Sequence, residues 1–171
     1  MSSSTENNDH IPEMQRNLEL LKEIPFFSAF PVKVLKLIAF VSTRGSFSAG
    51  DLLYEEGDNP DRAYLVLSGS LILTTRNEDG ENTVVKRFTA NDFVSSLSLF
   101  GSMPALFNLR AETKTTVLTI DRKQFSKIIT QFPEIQALSL RVILKEIHRW
   151  EKTNISEQTP CCSTRMGVTA L

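Results

Sequence analysis

The chain has 171 residues, 41% of them apolar, which suffices for one domain with a real core. Its 19 basic and 20 acidic residues leave a formal net charge of −1, so no electrostatic footprint points to nucleic acid or a membrane surface. The opening MSSSTENNDH lacks the basic-then-apolar order of a signal peptide and no apolar run is long enough to span a membrane, which makes the cytoplasm the expected location.

Residues 1–12, rich in Ser, Asn and Asp, are expected to form a disordered tail, and one domain is expected over 13–152. From Glu13 to Ile24 the apolar Met14, Leu18, Leu21 and Ile24 recur at three and four residues, marking one face of a helix that Pro25 ends. Phe26-Phe27-Ser28-Ala29-Phe30-Pro31 forms a hydrophobic corner, and Pro31 suits the first turn of a second helix carrying Val34, Leu35, Ile38 and Val41. After Gly45 short alternating runs follow, with turn signals at intervals of about eight to twelve residues, the pattern of an antiparallel barrel or jelly roll. Strands are expected at Leu52–Tyr54, Ala63–Leu67, Ser70–Thr74 and Thr83–Phe88. Asn77-Glu78-Asp79-Gly80 closes the last two into a hairpin, with Asp-Gly suited to a primed turn.

Asn91 to Thr113 is the stretch that reads as a binding site. Phe93 and Val94 end a strand, Ser95 and Ser96 lead into a one-turn helix over Leu97–Phe100, Gly101-Ser102-Met103-Pro104 makes a corner, and a strand leaves at Leu109. A helical turn entered through small residues presents backbone N–H groups, an anion site suited to phosphate. Beyond it come a strand at Thr115–Ile120, a short helix over Lys123–Thr130 and a last helix over Glu134–Lys152. On that last helix Ile135, Leu138, Val142, Ile143, Ile147 and Trp150 form a broad apolar stripe, with Leu140 and Leu144 toward a neighbouring face. The stripe is wider than packing on one barrel needs. Residues 153–171 lose the period and are expected as a second disordered tail, where the adjacent Cys161 and Cys162 read as free thiols. The chain carries no metal-ligand spacing, no nucleophile elbow and no P-loop, and neither His10 nor His148 has a partner arrangement, so no enzyme is expected.

Val94 to Thr113 is similar, without a gap, to the phosphate-binding cassette of cyclic nucleotide-binding domains, as in protein kinase A regulatory subunits and the catabolite activator family. That cassette reads roughly F-G-E-L-A-L, four residues, then P-R-A-A-T-V-R-A-x-T. Here Val94 stands at its first position, Ser95 at the Gly, Ser96 at the Glu, Pro104 at the Pro and Ala105 at the Arg. Leu106, Phe107 and Asn108 stand at A-A-T, and Leu109, Arg110, Ala111 and Thr113 match the closing V-R-A-x-T. The phrase LLKEIPFFSAFPVKVLKLIA also resembles the helical entry to the family's barrel, and Gly50, Gly57 and Gly69 fall at its turn glycines. Over Leu18 to Trp150 the resemblance implies an α+β, mainly β fold: an antiparallel jelly-roll (double-stranded β-helix) barrel with N-terminal helices and a C-terminal helix pair.

The resemblance also implies a ligand, cAMP or cGMP, with Ser95, Ser96, Leu97, Ala105, Leu106 and Asn108 as the contact positions. Two of them have lost the family's chemistry. The family Glu accepts the ribose 2′-hydroxyl, which Ser96 is too short to reach directly, and the family Arg pairs with the cyclic phosphate, to which Ala105 offers nothing. Leu106 and Phe107 add bulk where the family has alanines, and strand alternation puts Arg110 on a different face from Ala105. In the family the last helix closes over the base or pairs across a dimer, so Leu140, Leu144, Ile147 and Trp150 are candidates for either role or for packing on the barrel alone. The expectation is a stand-alone regulatory module, degenerate for tight cAMP or cGMP binding, acting on an effector protein and pairing with itself through its last helix. The alternative is a genuine cyclic nucleotide sensor of weakened affinity. No metal, nucleic acid or membrane partner is expected, because the tail after Trp150 lacks the period of a DNA-reading helix.

Overall fold

The computed structural model describes residues 13–76, Gly80 and residues 82–157. The expected tail at 1–12, Cys161 and Cys162, and the tip Asn77–Asp79 of the hairpin lie outside the described residues. Two helices open the fold: α1 (Glu13–Glu23) and α2 (Val32–Val41), joined by a 3-10 turn at Pro25–Phe27. Pro25 stops the first helix as expected, and Pro31 sits at the N-cap of the second with an extended backbone. Leu18, Leu21 and Ile24 are buried, as are Val34, Leu35 and Ile38. Met14, one turn out from the packed part of α1, is 36% exposed and does not join the core.

Eight strands follow: β1 (Thr43–Phe47), β2 (Leu52–Tyr54), β3 (Arg62–Ser68), β4 (Leu71–Arg76), β5 (Asn82–Phe88), β6 (Phe93–Val94), β7 (Asn108–Ala111) and β8 (Thr115–Asp121). They form two antiparallel four-stranded sheets, ordered β1-β8-β3-β6 and β2-β7-β4-β5. Tyr64, Val66, Val94 and Val117 of the first sheet meet Leu71, Phe88, Leu109 and Ala111 of the second in one buried cluster. This is the jelly-roll arrangement expected from the sequence.

The strand β3 is buried on both faces, and that explains why Ala63-Tyr64-Leu65-Val66 reads as a continuous apolar run rather than an alternation. Tyr64 and Val66 face the space between the sheets, whereas Ala63, Leu65, Leu118 and Ile120 face the helices. Two further helices complete that second core, α3 (Arg122–Thr130) and α4 (Pro133–Glu157), which contribute Phe125, Ile128 and Ile135. Asp121 caps α3, its side chain accepting from the Lys123 and Gln124 N–H groups at 2.9 and 3.1 Å. The hairpin β4–β5 forms as expected, with a bulge near Leu73/Thr74.

Three differences from the sequence reading have local causes. The strand β1, TRGSF, was not expected because only Phe47 is apolar in it; pairing with β8 over its whole length, Thr43 opposite Thr119 to Phe47 opposite Thr115, holds it in place. The helix α4 continues to Glu157 rather than ending at Lys152, since Thr153 to Glu157 contains no Gly or Pro to break it. The turn Ser68-Gly69-Ser70 is fixed more tightly than a lone glycine suggests: Gly69 has φ +82°, and a Cβ there would lie 2.3 Å from the Lys114 carbonyl oxygen. Next to it the Ser70 N–H donates to Thr113 Oγ1 at 3.0 Å, while Ser70 Oγ donates to Glu112 at 2.9 Å.

Candidate functional site

The strand β6 is only two residues long because Ser95 turns the chain into the left-handed region, with φ 61° and ψ 31°. For a residue with a Cβ that conformation costs about 1–2 kcal/mol. Tyr54 Oη lies 2.9 Å from Ser95 Oγ, a hydrogen bond that ties β2 in one sheet to the end of β6 in the other. A 3-10 turn then spans Ser96–Leu99, with the Ser98 N–H donating to the Ser95 carbonyl at 3.0 Å and the Phe100 N–H to the Leu97 carbonyl at 3.1 Å. It starts one residue before the expected Leu97, because Ser95 already supplies the first acceptor.

On its outer side this turn is locked into the helical core. Leu99 is 2% exposed, and the Phe100 ring stands 5.9 Å from that of Phe26 and 5.4 Å edge-on to that of Phe125. At the start of α3, Arg122 Nη1 donates to the Gly101 carbonyl at 2.7 Å. Ala105 closes the corner through its backbone: its N–H donates to the Asp58 carbonyl at 2.7 Å and its carbonyl accepts from the Gly57 N–H at 2.8 Å. Arg122 was not singled out from the sequence, where a basic residue after a capping Asp reads as surface.

On its inner side the turn faces a cavity of about 490 Å³ between the sheets. Tyr54, Leu73, Phe88 and Val94 form its walls, Ser95, Ser96 and Leu97 line it from the turn, and Leu106, Phe107 and Ile147 complete it. Leu106 and Ile147 are 73% and 41% exposed, so they stand at the mouth. A smaller space of about 130 Å³ continues past Ser95 and Phe107 to Met103, Pro104 and Ala105. Among the described residues no charged side chain lines either space. Burial in this setting pushes the Tyr54 hydroxyl above the ordinary tyrosine value, an effect that the Ser95 hydrogen bond partly offsets.

Of the expected contact residues, Ser95, Ser96, Leu97 and Leu106 therefore come together on the larger space, and Ala105 joins Ser95 and Leu106 on the smaller one. Asn108 does not join them. Along β7 Leu109 and Ala111 point inward, so Asn108 and Arg110 point outward into a separate groove. There Asn108 Oδ1 accepts from the Glu56 N–H at 2.9 Å and its Nδ2 donates to the Thr74 carbonyl at 3.4 Å, a structural role. Phe107 is half-buried and borders both spaces rather than filling them. On α4, Leu140 and Leu144 are 58% and 57% exposed, Ile147 reaches the cavity mouth, and the side chain of Trp150 lies outside the described part. Tyr54, Leu73 and Phe88 were missed as lining residues, because sheet register, not local pattern, brings β2, β4 and β5 to the turn.

Comparison with known proteins gives this arrangement a family. The "Cyclic nucleotide-binding domain" family model matches residues 44–132. A CRP-like cAMP-activated global transcriptional regulator of Mycobacterium tuberculosis is 27% identical over 103 residues, covering 60% of this chain and 46% of the relative, so the chain spans under half of that protein's length. The N-terminal domain of a transcriptional regulator from Streptomyces coelicolor A3(2) superposes with a TM-score of 0.68 at 23% identity, covering 85% of this chain and 99% of that one. The regulatory subunit of a cAMP-independent protein kinase A from Trypanosoma brucei gives 0.60 at 20% identity, covering 75% of this chain and 47% of that one. Such likenesses show the fold; the family match takes in every strand, the turn over the cavity and the α3 helix, over half of the 171 residues, and the chain belongs to the cyclic nucleotide-binding domain family.

Proposed function

We propose that this domain is a regulatory module that binds cAMP and cGMP weakly or not at all and signals through protein contacts made by α4. The observation that carries the reading is the lining of the cavity, uncharged among the described residues, with Ser96 and Ala105 at the two positions where the family holds a carboxylate and a guanidinium. A cyclic nucleotide brings one negative charge. Leaving one partner of a desolvated charge pair unmatched costs about 2–5 kcal/mol, on the order of 30- to 3,000-fold in affinity. The exposed line Leu140, Leu144 and Ile147, spaced i, i+4 and i+7 on α4, supports a contact with an effector protein or a second copy of the chain. The three named similar proteins all come from regulators, which fits a role in control rather than chemistry. Nucleic acid stays outside the proposal on the strength of the net charge of −1, although two of the named similar proteins are transcriptional regulators.

Calorimetric titration with cAMP and cGMP to millimolar concentration tests the nucleotide half of the proposal, and a flat response is expected. A second reading, a sensor of weakened affinity, draws on the turn at Ser95–Leu97, which still opens onto the cavity. Under that reading nucleotide at 100-fold over its Kd adds roughly 2.7 kcal/mol of stability, visible as a rise in Tm. Sedimentation of the wild type against Leu144→Asp tests the α4 half. A wild type that stays monomeric at tens of micromolar and captures no partner removes its basis.

A further inference from the structure

We infer that the cavity between the sheets is a binding site for an uncharged, mostly apolar small molecule that carries a ring and one hydroxyl or carbonyl group. The inference rests on the reading that a cyclic nucleotide is not the guest, and it names the chemistry that replaces it. At about 490 Å³ the space falls within the range of small-molecule sites. Three aromatic rings, Tyr54, Phe88 and Phe107, and the aliphatic Leu73, Val94 and Leu97 surround it, which suits a flat or alicyclic apolar body. Among the described lining residues there is no cation to meet an anion and no carboxylate to meet a cation, so a charged guest loses its hydration with little compensation, whereas a neutral one loses little.

Polar groups in the lining are few and converge on one side. Tyr54 Oη is already bonded to Ser95 Oγ at 2.9 Å and keeps capacity for one more bond. The neighbouring Ser96 hydroxyl makes no hydrogen bond among the described residues, so it is available to a guest. One hydroxyl or carbonyl on the guest can bond to this polar side of the lining. Ile147 and the 73% exposed Leu106 stand at the mouth, so occupancy is coupled to the position of α4, the same helix that presents Leu140 and Leu144 to partners.

The test uses the full chain and the uncharged fluorescent probe Prodan, a naphthalene that carries one carbonyl. Saturable binding is expected with a Kd of about 1–10 µM, and 1 mM cAMP should not displace the probe. Leu73→Glu, which sets a carboxylate into the wall, should weaken binding by roughly tenfold or more. Should that variant fail to fold, Leu106→Glu at the exposed mouth should weaken it by about fivefold. Arg110→Ala, on the outer groove, should leave it unchanged. Absence of saturable binding to the folded chain overturns the inference, as does binding that neither glutamate variant alters. Loss of probe binding at concentrations where the chain self-associates also overturns it, since a second copy is then the occupant. Displacement by micromolar cAMP overturns both this inference and the proposed function, while a silent probe together with silent nucleotides overturns this inference alone.

Discussion

The turn between β6 and β7 has two sides of opposite character. Its outer side is saturated: Leu99 is 2% exposed, Phe100 meets Phe26 and Phe125, and Arg122 holds the Gly101 carbonyl at 2.7 Å. Its inner side borders two spaces lined, among the described residues, by no charged group, and a side-chain bond there joins Ser95 to Tyr54. The shape of this turn is thus maintained by the hydrophobic core behind it and does not require a ligand in front of it.

The comparison breaks most easily through paired truncations. Leu99→Ala should cost about 2–5 kcal/mol, as for a buried leucine whose surroundings cannot collapse. Leu106→Ala on the inner side should stay within about 0.5 kcal/mol. Urea unfolding of both variants measures the contrast, and equal costs would mean that the inner side is as structural as the outer.

Next in size is Arg122→Ala, which removes a charge-assisted donor from the Gly101 carbonyl and should cost about 1.5–3 kcal/mol. Faster amide exchange at Gly101 to Met103 should accompany it, because the corner then relies on Ala105 and the 3.2 Å contact of Ser102 with Asn59.

A smaller effect separates two substitutions at Ser95. Both lose the Tyr54 hydrogen bond, but Gly accepts φ 61° and Ala does not, so Ser95→Gly should be the more stable of the two by about 1 kcal/mol. If the two melt together, the left-handed backbone at Ser95 is not strained.

The smallest effect concerns pH, at the opposite end of the sheets. Hydrogen bonds from Arg87 and Ser70 hold the exposed Glu112 carboxyl below the ordinary glutamate value. A depressed folded pKa gives a contribution that is present above the unfolded pKa and lost as pH falls through the folded one. Wild type should therefore lose slightly more stability on acidification below pH 4.5 than Arg87→Ala does, and identical acid profiles would show that the pair is fully screened.

Much of this architecture was legible in the sequence. The helical entry, the strand positions from β2 to β8 and the turn over the cavity follow from apolar spacing and from Gly and Pro placement. What was not legible depends on register or on distant partners. TRGSF has no pattern of its own and becomes β1 through β8. Asn108 looked like a ligand contact until the alternation of β7 put it beside Arg110 on the outer face. Tyr54 and Phe88 reach the site through pairing of strands far apart in sequence, and the Oδ1 of the buried Asn17 accepts from Arg44, 27 residues on, whose Nη2 stands 3.0 Å away.

The most direct measurement restores the two missing side chains. Ser96→Glu with Ala105→Arg returns a ribose acceptor and a phosphate-binding guanidinium to a turn whose backbone the core already holds, and Phe107→Ala, at a half-buried position, clears the adjoining volume. Calorimetry of the folded triple variant with cAMP and cGMP should give a Kd of about 1–10 µM for at least one of them, against no measurable heat for the wild type. A folded triple variant that ignores both nucleotides, or a wild type that already binds one of them at that affinity, would contradict the account.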